Sequence, residues 1–133
     1  MAIKTVIFGL GRIGAFYPSS SQSVYRNHLD IILNKDEFVL NGLIDTDKKK
    51  ISSLKKMNPI LSDDVFYSSL SQIYEKEVDL LVISTPTKLR LAHLNLAIKI
   101  KPKVILVEKP LAPNIKDALS ILKTCKKKRK NIF

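Results

Sequence analysis

Short apolar runs alternate with amphipathic segments along the whole chain. Five runs predict strands, and they lie at residues 3–8, 37–45, 65–67, 78–86 and 103–108. The run "VDLLVISTP" is apolar on consecutive positions and closes with Ser, Thr and Pro, which is typical of a parallel strand buried on both faces. Strands that alternate with helices form βαβ units with right-handed crossovers. The pattern therefore predicts a doubly wound α/β fold, in which helices cover a parallel sheet.

The segments between the strands carry helical spacing. Thr46 or Asp47 can cap a helix that follows the second strand. Ile51, Leu54 and Met57 are spaced to line one face of that helix, and the lysines between them would face solvent. Further helices are predicted within residues 69–78, 87–100 and 114–128.

The helix predicted over residues 87–100 repeats apolar side chains at helical intervals. We expect its core face to contain Leu89, His93, Leu96 and Ile100, widened by Leu91, Leu94 and Ile98. His28 and His93 both fall on helical patterns, where a histidine is more often structural than catalytic.

The composition fits one globular domain. The chain has 133 residues, of which 45% are hydrophobic and 26% charged, enough for a single core. We expect residues 1–122 to form the domain, and residues 123–133 to form the basic end of the last helix and the possible start of a next strand. The one cysteine, Cys125, has no partner for a disulfide or a zinc site, so no metal is expected. Without a signal peptide or an 18-residue apolar stretch, a soluble cytoplasmic protein without membrane contact is expected.

The basic tail raises the question of nucleic-acid binding. Residues 123–133 hold six Lys or Arg and no acid, out of a net charge of +11. Such a tail can contact phosphates, but cations also suit the negative end of a helix dipole. The tail lacks the interleaved aromatic side chains of single-strand binders. Nucleic-acid binding is therefore the least favoured function.

A glycine-rich motif follows the first strand directly. "GLGRIG" places Gly9, Gly11 and Gly14 in the G-x-G-x-x-G spacing, with Arg12 and Ile13 inside it. In this context Gly9 makes the tight turn, Gly11 lets a pyrophosphate approach the backbone, and Gly14 permits close helix packing. The alternative is a glycine-rich turn without a ligand. We take all five residues as candidates for binding a dinucleotide.

Asp45 ends the second strand. A carboxylate there can accept hydrogen bonds from the adenosine ribose hydroxyls, and it would repel a 2′-phosphate, so NAD is favoured over NADP. The lysines at 48–50 could nevertheless tolerate a phosphate, and Asp is also a common helix cap. NADP therefore stays open as the less favoured cofactor.

An insertion lengthens the first βα unit. Gly14 and Asp45 lie 31 positions apart, whereas about 20 are expected for this fingerprint. The inserted segment is residues 16–27, where Pro18 and a serine cluster interrupt the first helix. This loop could fold over cofactor or substrate, or be a passive surface excursion.

Two further groups of candidates lie where the fourth and fifth strands end, the edge at which ligands bind in such folds. Thr85, Pro86 and Thr87 follow the fourth strand, where a nicotinamide ribose would pass. The fifth is followed by Glu108, Lys109 and Pro110. A lysine there could hydrogen-bond a substrate hydroxyl and transfer a proton, although a Glu–Lys pair before a proline is also an ordinary end of a strand.

Taken together, these segments resemble the glucose–fructose oxidoreductase, inositol dehydrogenase and rhizopine-catabolism oxidoreductases, the Gfo/Idh/MocA family. The matching stretches are "FGLGRIG", "GLIDTD", "DLLVISTPT", His93 within "LRLAHLNLAI", and "VILVEKPLA". They occur in family order, and "EKP" behind "TPT" is the specific part.

The resemblance implies a Rossmann domain that binds NAD(P) and hydride transfer between the nicotinamide and a sugar or polyol. It places Lys109 on the family's active-site lysine and Pro110 on the residue that shapes the turn, with Gly9, Gly11, Gly14 and Asp45 on cofactor positions. Arg90 departs from the family, since members often have a histidine there.

Family members also continue into a second, substrate-binding domain, which is expected to be absent here. The sequence therefore predicts a cofactor-binding domain that is inactive alone, with surfaces free for self-association. The alternative is a non-catalytic nucleotide-binding module completed by a partner chain.

Overall fold

The fold is a parallel sheet of six strands with helices on both sides. The computed structural model describes residues 1–18, 25–128 and 131–133. The strands are β1 (Ile3–Phe8), β2 (Phe38–Ile44), β3 (Phe66–Tyr67), β4 (Leu80–Ile83), β5 (Val104–Val107) and β6 (Asn131–Ile132). They lie in the order β3-β2-β1-β4-β5-β6, and every pairing is parallel. The helices are α1 (His28–Leu33), α2 (Lys48–Met57), α3 (Arg90–Ala97) and α4 (Ile115–Lys127).

Neighbouring residues of the central strands belong to two separate cores. Val6 and Phe8 of β1 pack in the core that contains side chains of α3 and α4. Ile7, between them, packs in the other core with side chains of α1 and α2. Burial on both faces explains why the strands are apolar at consecutive positions. The predicted doubly wound α/β fold is confirmed.

The helix that follows β2 is capped as predicted, but fewer of its residues pack against the core than the spacing suggested. The side chain of Asp47 accepts a hydrogen bond from the Lys49 amide at 2.9 Å. Leu54 is fully buried, whereas Met57 is 61% exposed, so its assignment to the core face was wrong. Met57 is the last residue of α2, beyond the turn that packs on the sheet. The short helix predicted within 69–78 is a 3₁₀ turn at Leu70–Ile73.

The core face of α3 differs in phase from the prediction. Leu89 and Leu96 were assigned to the core, but they are 41% and 38% exposed. The buried residues of α3 are Arg90, Leu94 and Ala97, at positions i, i+4 and i+7. Helical periodicity assigns charged residues to the solvent face. Because Arg90 is buried, the observed core face of α3 is rotated relative to the predicted face.

The first βα connection is interrupted, as the inserted segment suggested. A single π-helical turn at Arg12–Phe16 follows the glycine motif, and α1 begins only after the insertion. Asn27 caps α1 by accepting from the Asp30 amide at 2.8 Å, and it donates to the Tyr17 carbonyl at 2.7 Å. Asn27 therefore connects the two ends of the inserted segment. The serine cluster at 19–23 lies outside the described residues.

Two observations bear on the tail and on membranes. The tail residues Arg129 and Lys130 lie outside the described ranges, and β6 follows them along the edge of β5. Across the described part of the chain, no helix combines the length and apolar character needed to cross a bilayer.

We expect Cys125 to resist thiol reagents in the folded protein. The residue is 1% exposed, and burial raises the pKa of its thiol, so little reactive thiolate is accessible. Labelling followed by absorbance should be slow in native buffer and fast in denaturant. Rapid, complete labelling of the native protein would contradict the packing of α4.

We expect His93 to make the fold sensitive to mild acid. Its ring lies 4.6 Å from the ring of Phe8, and its Nδ1 is buried without a partner among the described residues. Burial lowers the pKa of His93, which the charge of Asp45 partly opposes. A histidine with a lowered folded pKa stabilises the fold above its unfolded pKa of about 6.5 and loses that contribution as the pH falls.

The measurement is the free energy of unfolding against pH for wild type and His93→Phe. Between about pH 7.5 and about pH 5, wild type should lose more stability than the variant, because its His93 imidazole, once protonated in the unfolded chain, must release that proton to fold into a partly buried position. The other titratable groups are common to both proteins, so their contributions cancel in the difference. Parallel curves would show that His93 does not titrate differently in the folded state.

Candidate functional site

The three motif glycines have different surroundings. Gly9 has a φ of +102°, and a Cβ there would lie 2.6 Å from the Thr85 amide nitrogen. A Cβ on Gly14 would lie 2.1 Å from the carbonyl oxygen of Gly9. Among the described residues, apart from Gly11 itself and its two chain neighbours, no atom lies within 4 Å of the position that a Cβ on Gly11 would take. Gly9 and Gly14 are therefore required by the fold itself, whereas the space beside Gly11 is open.

The glycine turn is fastened to the ends of β2 and β4. The Gly9 amide donates to the Ile44 carbonyl at 2.9 Å, and the Ser84 hydroxyl donates to the Gly9 carbonyl at 2.6 Å. The Leu10 amide donates to Oδ2 of Asp45 at 2.8 Å. These bonds fix the turn at the carboxyl edge of the sheet.

Asp45 organises the turn as well as occupying a predicted cofactor position. Besides Leu10, its carboxylate accepts a hydrogen bond from the Asp47 amide at 2.9 Å, and Lys50 Nζ lies 3.4 Å from Oδ2. Asp45 is only 7% exposed. A carboxylate can accept about four hydrogen bonds, so these contacts leave acceptor capacity on a carboxylate held in place.

A groove of about 340 Å³ lies beside the glycine turn. Its lining residues come from the turn and from α2, and they are Leu10, Gly11, Arg12, Phe16, Lys49, Lys50 and Ser53. Arg12 is exposed, and its guanidinium lies 4.6 Å from the ring centre of Tyr17. Ile13 is also exposed. Three cations next to the open space at Gly11 suit an anionic ligand.

At the end of β4, Thr85 is buried and Pro86 is exposed, with Thr87 between these extremes. The Thr85 carbonyl accepts a hydrogen bond from Arg90 Nε at 3.1 Å. Thr85 Oγ1 is buried, and it has no hydrogen-bond partner in the described part of the chain. A buried hydroxyl without a partner is uncommon, so Thr85 retains unused hydrogen-bonding capacity at this edge.

At the end of β5, two side chains hold the turn that contains Lys109. Arg90 Nη1 donates to the carbonyls of Glu108 and Pro110, and Nε2 of His28 lies 2.7 Å from Oε1 of Glu108. Lys109 itself is exposed, and the peptide bond that follows it is cis. The structure thus brings the ends of β4 and β5 together through Arg90.

Sequence reasoning missed three of these contacts. Ser84, Arg90 and His28 all bind residues that are 18 to 80 positions away. Arg90 was noted only as a departure from a family pattern, and His28 only as a residue on a helix. One signal was present: Arg90 is the one Lys, Arg, Asp or Glu residue of α3, at the start of the helix that follows the end of β4.

The described side chains were also compared with the ligand sets that hold metal ions. Across residues 1–18, 25–128 and 131–133, no group of three or more His, Cys, Asp or Glu is arranged to hold a metal ion. The candidate chemistry therefore rests on the glycine turn, Asp45 and the ends of β4 and β5.

Comparison with solved structures finds the same fold in other proteins. The chain resembles the WlbA dehydrogenase of Bordetella pertussis, with 22% identity and a TM-score of 0.75, and that of Chromobacterium violaceum, with 20% identity and a TM-score of 0.77. Both were solved with NADH and UDP-GlcNAcA. Each match covers 99% of this chain but only 35% and 34% of those chains, so this chain spans about a third of their length.

At this identity the likeness to solved structures shows the fold. No curated protein matches the sequence. The family model described as "Oxidoreductase family, NAD-binding Rossmann fold" matches residues 3–133, nearly the whole chain. The chain therefore belongs to the Gfo/Idh/MocA oxidoreductase family, of which it contains the NAD-binding Rossmann domain.

Proposed function

We propose that this chain binds NAD(H) as the cofactor-binding part of an enzyme that transfers a hydride between the nicotinamide and a hydroxyl-bearing carbon of a sugar or polyol. The observation that carries the proposal is the contrast between the glycines. Gly9 and Gly14 are packed against protein atoms, whereas the space beside Gly11 is open. A glycine that the fold does not need is explained by a ligand that approaches its backbone.

The residues present fit a dinucleotide along the whole carboxyl edge. Asp45 would accept hydrogen bonds from the adenosine ribose, and the amides at the start of the π-helical turn, which have no acceptor within it, would meet the pyrophosphate. Arg12 and Lys49 add positive charge beside that position. At the other end, the hydroxyl of Thr85 lacks a partner within residues 1–18, 25–128 and 131–133 and would serve the nicotinamide ribose.

Lys109 is the residue we assign to the chemistry. When bound, the nicotinamide supplies the hydride acceptor or donor. Lys109 would hold the reacting hydroxyl and exchange its proton, and its exposed position on a held turn suits that role. Glu108 and Pro110 would shape the turn around it.

The substrate class rests on the relatives. The two WlbA structures contain UDP-GlcNAcA, which is a nucleotide sugar, and this agrees with a sugar or polyol. Because the chain spans about a third of their length, the proposal stops at this class.

We expect Gly11→Ala to weaken cofactor binding while leaving the fold intact. The added methyl meets no atom of the described residues beyond its chain neighbours, but it would occupy the space that the pyrophosphate needs. NADH affinity should fall by about tenfold or more, measured by isothermal titration, while the midpoint of thermal unfolding stays close to that of wild type.

Gly14→Ala is the matched control, because the same methyl group there collides with the Gly9 carbonyl. It should lower stability as well as binding. Wild-type protein that binds no NADH at millimolar concentration would contradict the proposal. A Gly11→Ala variant that binds as wild type would contradict the placement of the pyrophosphate.

We further propose that Asp45 makes NAD the preferred cofactor. A buried carboxylate repels a 2′-phosphate, and Lys50, whose Nζ lies 3.4 Å from it, offsets only part of the charge. Asp45→Asn should therefore reduce the preference for NADH over NADPH by about tenfold, and Lys50→Met should increase it. The measurement is the ratio of the two dissociation constants, which a general loss of stability does not shift. An unchanged ratio in both variants would show that neither group faces the adenosine ribose.

A further inference from the structure

Arg90 makes three hydrogen bonds to described residues, and all three acceptors are backbone carbonyls. Nε donates to Thr85 at 3.1 Å, and Nη1 donates to Glu108 and Pro110. These acceptors follow two neighbouring strands, β4 and β5, and two of them lie on either side of Lys109. Arg90 is therefore the side chain that joins the "TPT" edge to the "EKP" edge.

The burial of Arg90 indicates a specific function for these bonds. The residue is only 5% exposed, and a buried cation is costly unless it is hydrogen-bonded. Burial lowers the pKa of Arg90 and the charge of Glu108 opposes this shift, but a guanidinium remains charged in proteins. The cost of burying the charge is thus offset by contacts that all lie at the ends of the two strands.

The geometry of the guanidinium suits this role better than that of other cations. Its donors project in a fixed planar fork, so one side chain can reach carbonyls on two strands at once. Lysine has a single compact charge on a flexible stem. Histidine, the residue often found at this position in the family, has two ring nitrogens and a shorter reach.

We propose that Arg90 is a positioning residue for Lys109. It fixes the backbone on both sides of Lys109 and holds this turn in register with Thr85, while the exposed lysine side chain stays free to meet substrate. The contact between His28 and Glu108 holds the same turn from the side of α1, so Arg90 acts on the main chain and His28 on a side chain. The proposal rests on the function proposed above, in which Lys109 meets the reacting hydroxyl.

The first experiment uses the ligand-free chain. Hydrogen–deuterium exchange is measured in Arg90→Met, Arg90→Lys and Leu94→Ala. Leu94 is fully buried on the same helix and belongs to the apolar core against which Leu111 and Ala112 pack. Its side chain has no hydrogen-bond donor to hold the carbonyls of the turn, so it is a control for loss of packing. In both Arg90 variants, amides of residues 107–112 should exchange about tenfold faster while β1 and β2 keep their protection.

The second experiment separates the two halves of the cofactor. NADH and ADP-ribose share the adenosine and the pyrophosphate, but only NADH carries the nicotinamide. Arg90→Met should weaken the affinity for NADH about tenfold and leave the affinity for ADP-ribose within a factor of about two of wild type. Arg90→Lys should have an intermediate affinity for NADH. Leu94→Ala should affect both ligands equally, through the fraction of folded protein.

The outcomes distinguish this inference from the proposed function. If the Arg90 variants raise exchange throughout the sheet, as Leu94→Ala does, Arg90 is only a structural residue and the inference is wrong. The same conclusion follows if they weaken NADH and ADP-ribose equally. If wild type binds neither ligand, the proposed function fails, and local exchange at residues 107–112 still decides whether Arg90 holds the turn.

Discussion

The close approach of the glycine turn to the end of β4 is the constraint on which the site depends. At Gly9, the chain leaves the centre of the sheet with a left-handed conformation and passes so near Thr85 that no side chain fits. Ser84 and Asp45 then bind the turn from both neighbouring strands. Because the turn is held from two sides, the amides that follow it have a fixed direction before any ligand arrives. Such preorganisation lowers the entropy cost of binding.

The two ends of the carboxyl edge are held by different means. At the glycine turn, the contacts are short and local to the backbone, and the absence of side chains makes them possible. At the "EKP" turn, the contacts come from the side chains of Arg90 and His28. Arg90 extends the connection between the paired strands β4 and β5 beyond the backbone hydrogen bond that the Glu108 amide donates to the Ile83 carbonyl. A lysine would not reproduce these contacts, because it lacks the planar fork of Arg.

Much of the framework could be predicted from sequence, since it depends on local patterns. Consecutive apolar positions reveal a strand buried on both faces, and the G-x-G-x-x-G spacing marks the turn that follows it. The phase of a helix is harder to predict, because it depends on which polar residues find partners inside. Arg90 is the example: its three acceptors are brought to it only by the folded sheet. The contact between His28 and Glu108 spans 80 positions and depends on the same packing.

The distribution of charge connects the composition of the chain with its site. The net charge of +11 raised the question of nucleic-acid binding, and six of the basic residues lie in the tail at residues 123–133. Arg12, Lys49 and Lys50 instead place part of the positive charge beside the open space at Gly11. A dinucleotide carries its negative charge on the pyrophosphate, and cations around a groove raise the local concentration of such an anion. In the proposed function, Asp45, whose carboxylate lies 3.4 Å from Lys50 Nζ, would add a local repulsion that acts on a 2′-phosphate but not on ribose hydroxyls. General attraction and local discrimination would then come from adjacent residues at one edge of the sheet.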